Sequence, residues 1–138
     1  MPALDQCHHQ IVRALEKAGW NVDDNPFVIP IIGVRRLFVD IQAEKTQRNG
    51  FQTIIVVEAK CFSDSRTELN DLYTAIGQYI VYRSLLIKRK AGMPIYLAVP
   101  VHAYEGIFQQ LAMQVVQEIG IKMIVVDLER EVIKQWLE

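Results

Sequence analysis

The chain of 138 residues, 51% of them hydrophobic, can bury one core but not two, so a single domain over residues 1–138 is expected. A charged fraction of 22% and a mean hydropathy of +0.11 exclude a disordered chain, and no apolar run approaches the roughly 20 residues that span a bilayer, which excludes a helical membrane protein. With a net charge of −1 and a pI near 6.3 there is no global pull toward nucleic acid, so any contact with DNA must come from a local patch.

Residues 1–5 carry no basic segment leading into an apolar stretch, and a cytoplasmic location is expected. Apolar groups at Cys7, Ile11, Val12, Ala14, Leu15 and Ala18 predict a helix over residues 5–19, stopped by Gly19. Residues 23–33 hold Pro26 and Pro30 and read as an extended connection without regular structure. Residues 34–43 alternate, with Leu37, Val39, Ile41 and Ala43 on one face and Phe38, Asp40, Gln42 and Glu44 on the other, which predicts one strand. Asn49-Gly50 is a tight-turn pair, and residues 51–60, with the β-prone run from Thr53 to Val57, form the next strand.

The longest helix is expected over residues 66–90, ended by Ala91-Gly92-Met93-Pro94. A short apolar strand over 95–99, an amphipathic helix over 104–119 stopped at Gly120, and a buried strand over 121–126 follow. Residues 129–137 close the chain as a last predicted helix. The order predicts a three-layer α/β/α sandwich around a mixed sheet whose late strands are parallel. Cys7 and Cys61 lie far apart, neither in a C-x-x-C pair, and are expected to be reduced.

Glu58 and Lys60 are two apart on a strand, so both emerge on one face directly after residues that belong in a core. Buried charges need a partner, a metal or an opening to solvent. One reading is a hard-cation site: Asp40 and Glu58 supply carboxylate oxygens, the Ala59 carbonyl a third, and Mg²⁺ or Mn²⁺ keeps several waters and a phosphate oxygen. Lys60 would then orient the attacking water and stabilise developing charge, which are the parts needed to hydrolyse a phosphodiester. The other reading is a structural Glu58–Lys60 ion pair, since an acid-x-Lys triplet is expected by chance about 0.8 times in such a chain.

Supporting candidates are Glu44, on the Asp40 face, and Gln78 with Tyr82, four apart on one helix face, although such a pair is also a common partly buried contact. Of His8 and His9, only one can face a site, and His9 is the candidate against a plain solvent-facing histidine. Arg83, Lys88, Arg89 and Lys90 make the end of the long helix basic, which suits either a helix C-terminus or DNA phosphates.

At these residues the chain resembles the XisH family of fdxN-element excision controlling factors. The likeness runs through Phe38-Val39-Asp40-Ile41 with Ala43-Glu44-Lys45, Val57-Glu58-Ala59-Lys60-Cys61-Phe62, the Gly77-Gln78-Tyr79 helix, Tyr96-Leu97-Ala98-Val99-Pro100, and residues 121–127. It spans nearly the whole chain. The resemblance implies a PD-(D/E)xK, restriction-endonuclease-like fold and a part in excising the fdxN element during heterocyst development in cyanobacteria. It also implies work on DNA alongside a small companion factor, XisI, and a site-specific recombinase, in a homodimer. In that pattern Asp40 and Glu58 match the metal carboxylates, Lys60 the catalytic lysine, and Gln78 with Tyr82 the Gln-x-x-x-Tyr helix motif. Val39 stands where the motif has proline, and the upstream acid of many such nucleases has no counterpart, His9 and Glu16 being nearest. Two functions are consistent with the resemblance: a Mg²⁺-dependent endodeoxyribonuclease, or a non-catalytic regulator that binds the companion factor and the recombinase.

Overall fold

The computed structural model describes residues 6–33 and 35–138, so Asp5 and Val34, the first positions of the predicted first helix and first strand, lie outside the described residues. Helix α1 (His8–Lys17) buries Ile11, Ala14 and Leu15, the apolar stripe expected from their spacing, and gives way to Gly19 at φ 95°. Short strand β1 (Asn21–Val22) follows, then β2 (Phe27–Ile31), β3 (Arg35–Val39), β4 (Ile41–Thr46) and β5 (Gln52–Ala59). The long helix α2 (Glu68–Lys88) leads to β6 (Ile95–Pro100). A continuous helical stretch then runs through α3 (Val101–Ala103), a π-helical segment (Tyr104–Ala112) and α4 (Met113–Ile119), ended by Gly120 at φ 73°. Strands β7 (Met123–Asp127) and β8 (Val132–Leu137) complete the chain.

These elements make a mixed α/β fold. A six-stranded sheet has the order β1-β4-β5-β6-β7-β8, and β2 with β3 forms a separate two-stranded ribbon. Strands β5, β6 and β7 run parallel, while β4 against β5 and β7 against β8 are antiparallel. The parallel strands are buried on both faces, as such strands require. Val56, Leu97, Val99 and Met123 pack with α2, the π-helical segment and the β2–β3 ribbon. Ile55, Val57, Ala98 and Ile124 pack with α1. Each such buried Val, Leu, Ile or Met side chain contributes about 1.5–3 kcal/mol. Tyr79 fastens α2 to the sheet: its hydroxyl donates to the Ile95 carbonyl at 3.0 Å and accepts from the Lys122 N–H at 3.0 Å.

Four expectations are corrected. Residues 129–137 are not a helix: β8 pairs with β7 from Asp127↔Val132 to Met123↔Leu137, with an irregularity at Val125/Val126. β-Branched Val132 and Ile133 and aromatic Trp136 suit a strand, and without them the β7 edge would stand open. Trp136 meets Tyr96 edge-on at 5.2 Å between ring centroids. The stretch 23–33 is not irregular: β2 lies inside it with Pro30 paired to Arg36, which a two-stranded ribbon tolerates because each strand has one unpaired side. The single strand expected over 34–43 is two strands in two sheets, divided at Asp40. Cys7 and Cys61 are joined in a disulfide with Cα atoms 5.6 Å apart, because Cys61 leaves β5 on the face that α1 covers.

Candidate functional site

The division at Asp40 positions the site. Val39 belongs to the apolar cluster under α2, whereas Ile41 belongs to the one under α1. Ile41 pairs with Val57, so continuing that antiparallel register by one residue sets Asp40 opposite Glu58. Two hydrogen bonds tie Asp40 to the end of β5, one to the Glu58 side chain and one from the Ala59 backbone. The Asp40 N–H donates to Glu58 Oε1 at 3.2 Å, and the Ala59 N–H donates to Asp40 Oδ2 at 2.9 Å.

Glu58 is 5% exposed and is the buried charged residue among the described residues. It shares the β5 face of Val56, which packs under α2, and Lys60 follows on that face by strand alternation. Lys60 extends the ladder by one step, its N–H donating to the Ala98 carbonyl at 3.0 Å. It borders a small polar cleft of about 250 Å³ that Cys61, Thr67 and Asp71 also line.

Tyr82 of α2 completes the buried side. The pKa of its hydroxyl is pushed up to about 12, first by burial and then by the negative charges of Glu58 and Asp40, whose field reaches it. Gln78, one turn earlier, is half-buried on the same helix. Beyond Lys60 the chain turns sharply. Phe62 adopts φ 51°, packs edge-on to Phe108 at 5.7 Å, and offers its carbonyl to His102 Nε2 at 2.9 Å. A non-glycine residue in this left-handed region costs about 1–2 kcal/mol, which the aromatic packing offsets. The Cys7–Cys61 disulfide ties the same turn to the start of α1.

The structure thus brings Asp40, Glu58, the Ala59 backbone, Lys60 and Tyr82 together. Glu44 stands four residues along β4, opposite Ile54, where its Oε1 is 3.5 Å from Asn21 Nδ2. His9 is exposed on α1, as is Glu16. Sequence reasoning missed Thr67 and Asp71, which bond to each other at 3.3 Å in the first turn of α2 and border the Lys60 cleft. Their four-residue spacing at a helix start was the available signal. Among the described residues no three His, Cys, Asp or Glu side chains gather into one cluster, so a cation held here would take two carboxylates from the chain and its other ligands from carbonyl, water or substrate oxygens.

No helix among the described residues is long and apolar enough to cross a membrane. Residues 1–134 match the family described as XisH protein. Two crystal structures are similar along 97% of this chain and 100% of theirs. An XisH family protein from Nostoc punctiforme PCC 73102 is 35% identical with a TM-score of 0.82 over 97% of this chain. An fdxN element excision controlling factor protein from Anabaena variabilis is 36% identical with a TM-score of 0.81. No curated protein matches the chain significantly.

Proposed function

Because the chain belongs to the XisH family, we propose that it serves programmed, site-specific DNA excision through a PD-(D/E)xK nuclease-like site made by Asp40, Glu58 and Lys60. In this reading the helices on the two sheet faces and the mixed sheet are a restriction-endonuclease-like α/β/α sandwich. The observation that carries it is the bonding of Asp40 to Glu58 and to the Ala59 N–H at the point where the two sheets part, with Lys60 on the Glu58 strand face. A structural ion pair alone would not need a second carboxylate placed against a 5%-exposed glutamate, because a like charge there raises the cost of burial.

The donor set fits Mg²⁺ or Mn²⁺: hard carboxylate oxygens of Asp40 and Glu58 with the Ala59 carbonyl beside them. Bound there, the cation would supply Lewis-acid polarisation of a phosphate oxygen and lower the pKa of a water. The chain's own residues do the rest. The Asp40 N–H fixes the Glu58 carboxylate and the Ala59 N–H fixes the Asp40 carboxylate, Lys60 orients the water and meets charge developing on phosphorus, and Tyr82 stays protonated.

Plasmid nicking in Mg²⁺ or Mn²⁺ tests the reading. Wild-type protein nicking no faster than a Lys60→Ala variant would refute catalysis. The Anabaena variabilis relative is an fdxN element excision controlling factor, which favours a second reading in which a homodimer regulates the recombinase with XisI and does not cut. Asp40→Asn and Glu58→Gln variants that bind XisI normally and still support excision would decide for it.

A further inference from the structure

The β2–β3 ribbon differs in composition from the rest of the molecule. Residues 27–39 include Arg35 and Arg36 and no acid, in a chain whose net charge is −1. Both arginines are exposed. Among the described residues Arg13, Arg66 and Arg130 pair with Glu131, Asp64 and Asp127, whereas neither ribbon arginine is seen in an ion pair with an acid. At the turn, Ile32 is 99% exposed, next to Gly33 at φ 103°. The pairs Ile31↔Arg35 and Pro30↔Arg36 close the far end of the ribbon, so Ile32 lies beyond both cations, which as neighbours on β3 leave opposite faces of the ribbon.

The near end is fixed. Ile29, Leu37 and Val39 pack into the core under α2, and β3 runs directly into Asp40. Arg36 stands four residues from Asp40, about 13 Å at ~3.3 Å per strand residue. One DNA strand advances ~3.4 Å per nucleotide, so Arg36 would meet a phosphate about four nucleotides from one held at Asp40 and Glu58. Cations on an acid-free arm match a polyanion, and an apolar tip just beyond them is the composition of wedges that enter a minor groove.

We propose that the β2–β3 hairpin is an arm that grips duplex DNA beside the candidate site, with Arg35 and Arg36 on backbone phosphates and Ile32 against the floor of the minor groove. This rests on the DNA reading of the Asp40–Glu58–Lys60 site and extends it to a second contact.

The test is binding of the full chain to a fluorescent duplex in EDTA, where no metal-dependent cutting intrudes, across a salt series. Loss of two phosphate contacts in Arg35→Ala/Arg36→Ala should reduce the salt slope by about 1.8 and weaken binding about 60-fold at 0.1 M salt. Ile32→Ser should weaken binding while leaving the slope unchanged. Wild-type binding with variants of equal affinity and slope overturns the arm and leaves the nicking comparison of Lys60→Ala to judge the site. Variants that bind DNA normally but change the oligomeric state in size-exclusion chromatography also overturn it, making the hairpin a self-association surface. A wild-type chain without affinity for duplex overturns both the arm and the DNA reading beneath it.

Discussion

Reducing the Cys7–Cys61 disulfide should destabilise the protein mainly through the unfolded chain. Both cysteines remain buried, 2% and 5% exposed, so opening the bond removes little native packing. It frees a loop closed over a sequence separation of 54. The chain-entropy model assigns such a loop about 14 cal/mol/K, or about 4 kcal/mol at 25 °C. With ~2.1 cal/mol/K of unfolding entropy per residue, this chain has about 290 cal/mol/K, so the melting temperature should fall by about 14 °C. The assay is thermal unfolding followed by circular dichroism with and without a dithiol reductant, with free thiols titrated in each sample. A Cys7→Ala/Cys61→Ala variant should melt near the reduced wild type and ignore the reductant. A shift under about 2 °C with both thiols shown to be free would refute the reasoning, because a tether between α1 and the end of β5 would then do nothing to the unfolded ensemble.

At Glu58, Gln retains an acceptor for the Asp40 N–H while removing a buried charge, so Glu58→Gln should melt at or above the wild type while abolishing nicking; Glu58→Ala should lose about 1–3 kcal/mol by stranding that donor. Lys60→Ala tests whether the lysine is structural: if it only neutralises the two acids, its loss should lower the melting temperature clearly, and an unchanged melt with lost nicking favours the catalytic role. Tyr82, pushed up to about 12 by burial, Glu58 and Asp40, holds its proton in the folded state beyond the ordinary ~10 of an unfolded chain. Its contribution to stability is therefore fully present below pH 10 and is lost as pH rises toward 12; Tyr82→Phe should remove that loss, and Glu58→Gln should lower the tyrosinate absorbance midpoint partway, since burial persists. A midpoint unmoved by Glu58→Gln would separate the hydroxyl from the acid.

Much of the fold is legible because local pattern and tertiary environment agree. The spacing of Ile11, Ala14 and Leu15 makes α1, and the glycines at 19 and 120 end helices with positive φ. Likewise the apolar runs of β6 and β7 are too short for helices and sit where parallel strands must be buried. The misreadings share one physical origin, which is pairing between distant segments. Val132, Ile133 and Trp136 have a spacing that accommodates a short helix as well as a strand, and the open edge of β7 selects the strand. Pro26 and Pro30 argue against regular structure unless a partner accepts a proline on its unpaired side, which β3 does. The disulfide was hidden for the same reason: nothing in the sequence places Cys7 and Cys61 under one helix.

The site follows the same logic. Alternation from Leu37 to Ala43 is unbroken, so the sequence reads as one strand, yet residues 35–39 take β2 as partner and residues 41–46 take β5. A change of partner interrupts the backbone ladder at the residue between, and an aspartate is suited to that point because its short side chain bonds backbone groups nearby. The Asp40 side chain does so by accepting from the Ala59 N–H, while the backbone N–H of Asp40 donates to the Glu58 carboxylate. The carboxylates are therefore held together by the break in the sheet itself, which makes geometry and charge separable by substitution. Asp40→Asn keeps an oxygen for the Ala59 N–H and should fold with about wild-type stability, whereas Asp40→Ala leaves that donor without its acceptor and should cost about 1–3 kcal/mol. Nicking lost in both, with only the alanine variant destabilised, is the expected outcome. Equal stability of the two, measured by denaturant unfolding, would mean that the Asp40–Ala59 bond does not hold the sheets at their junction.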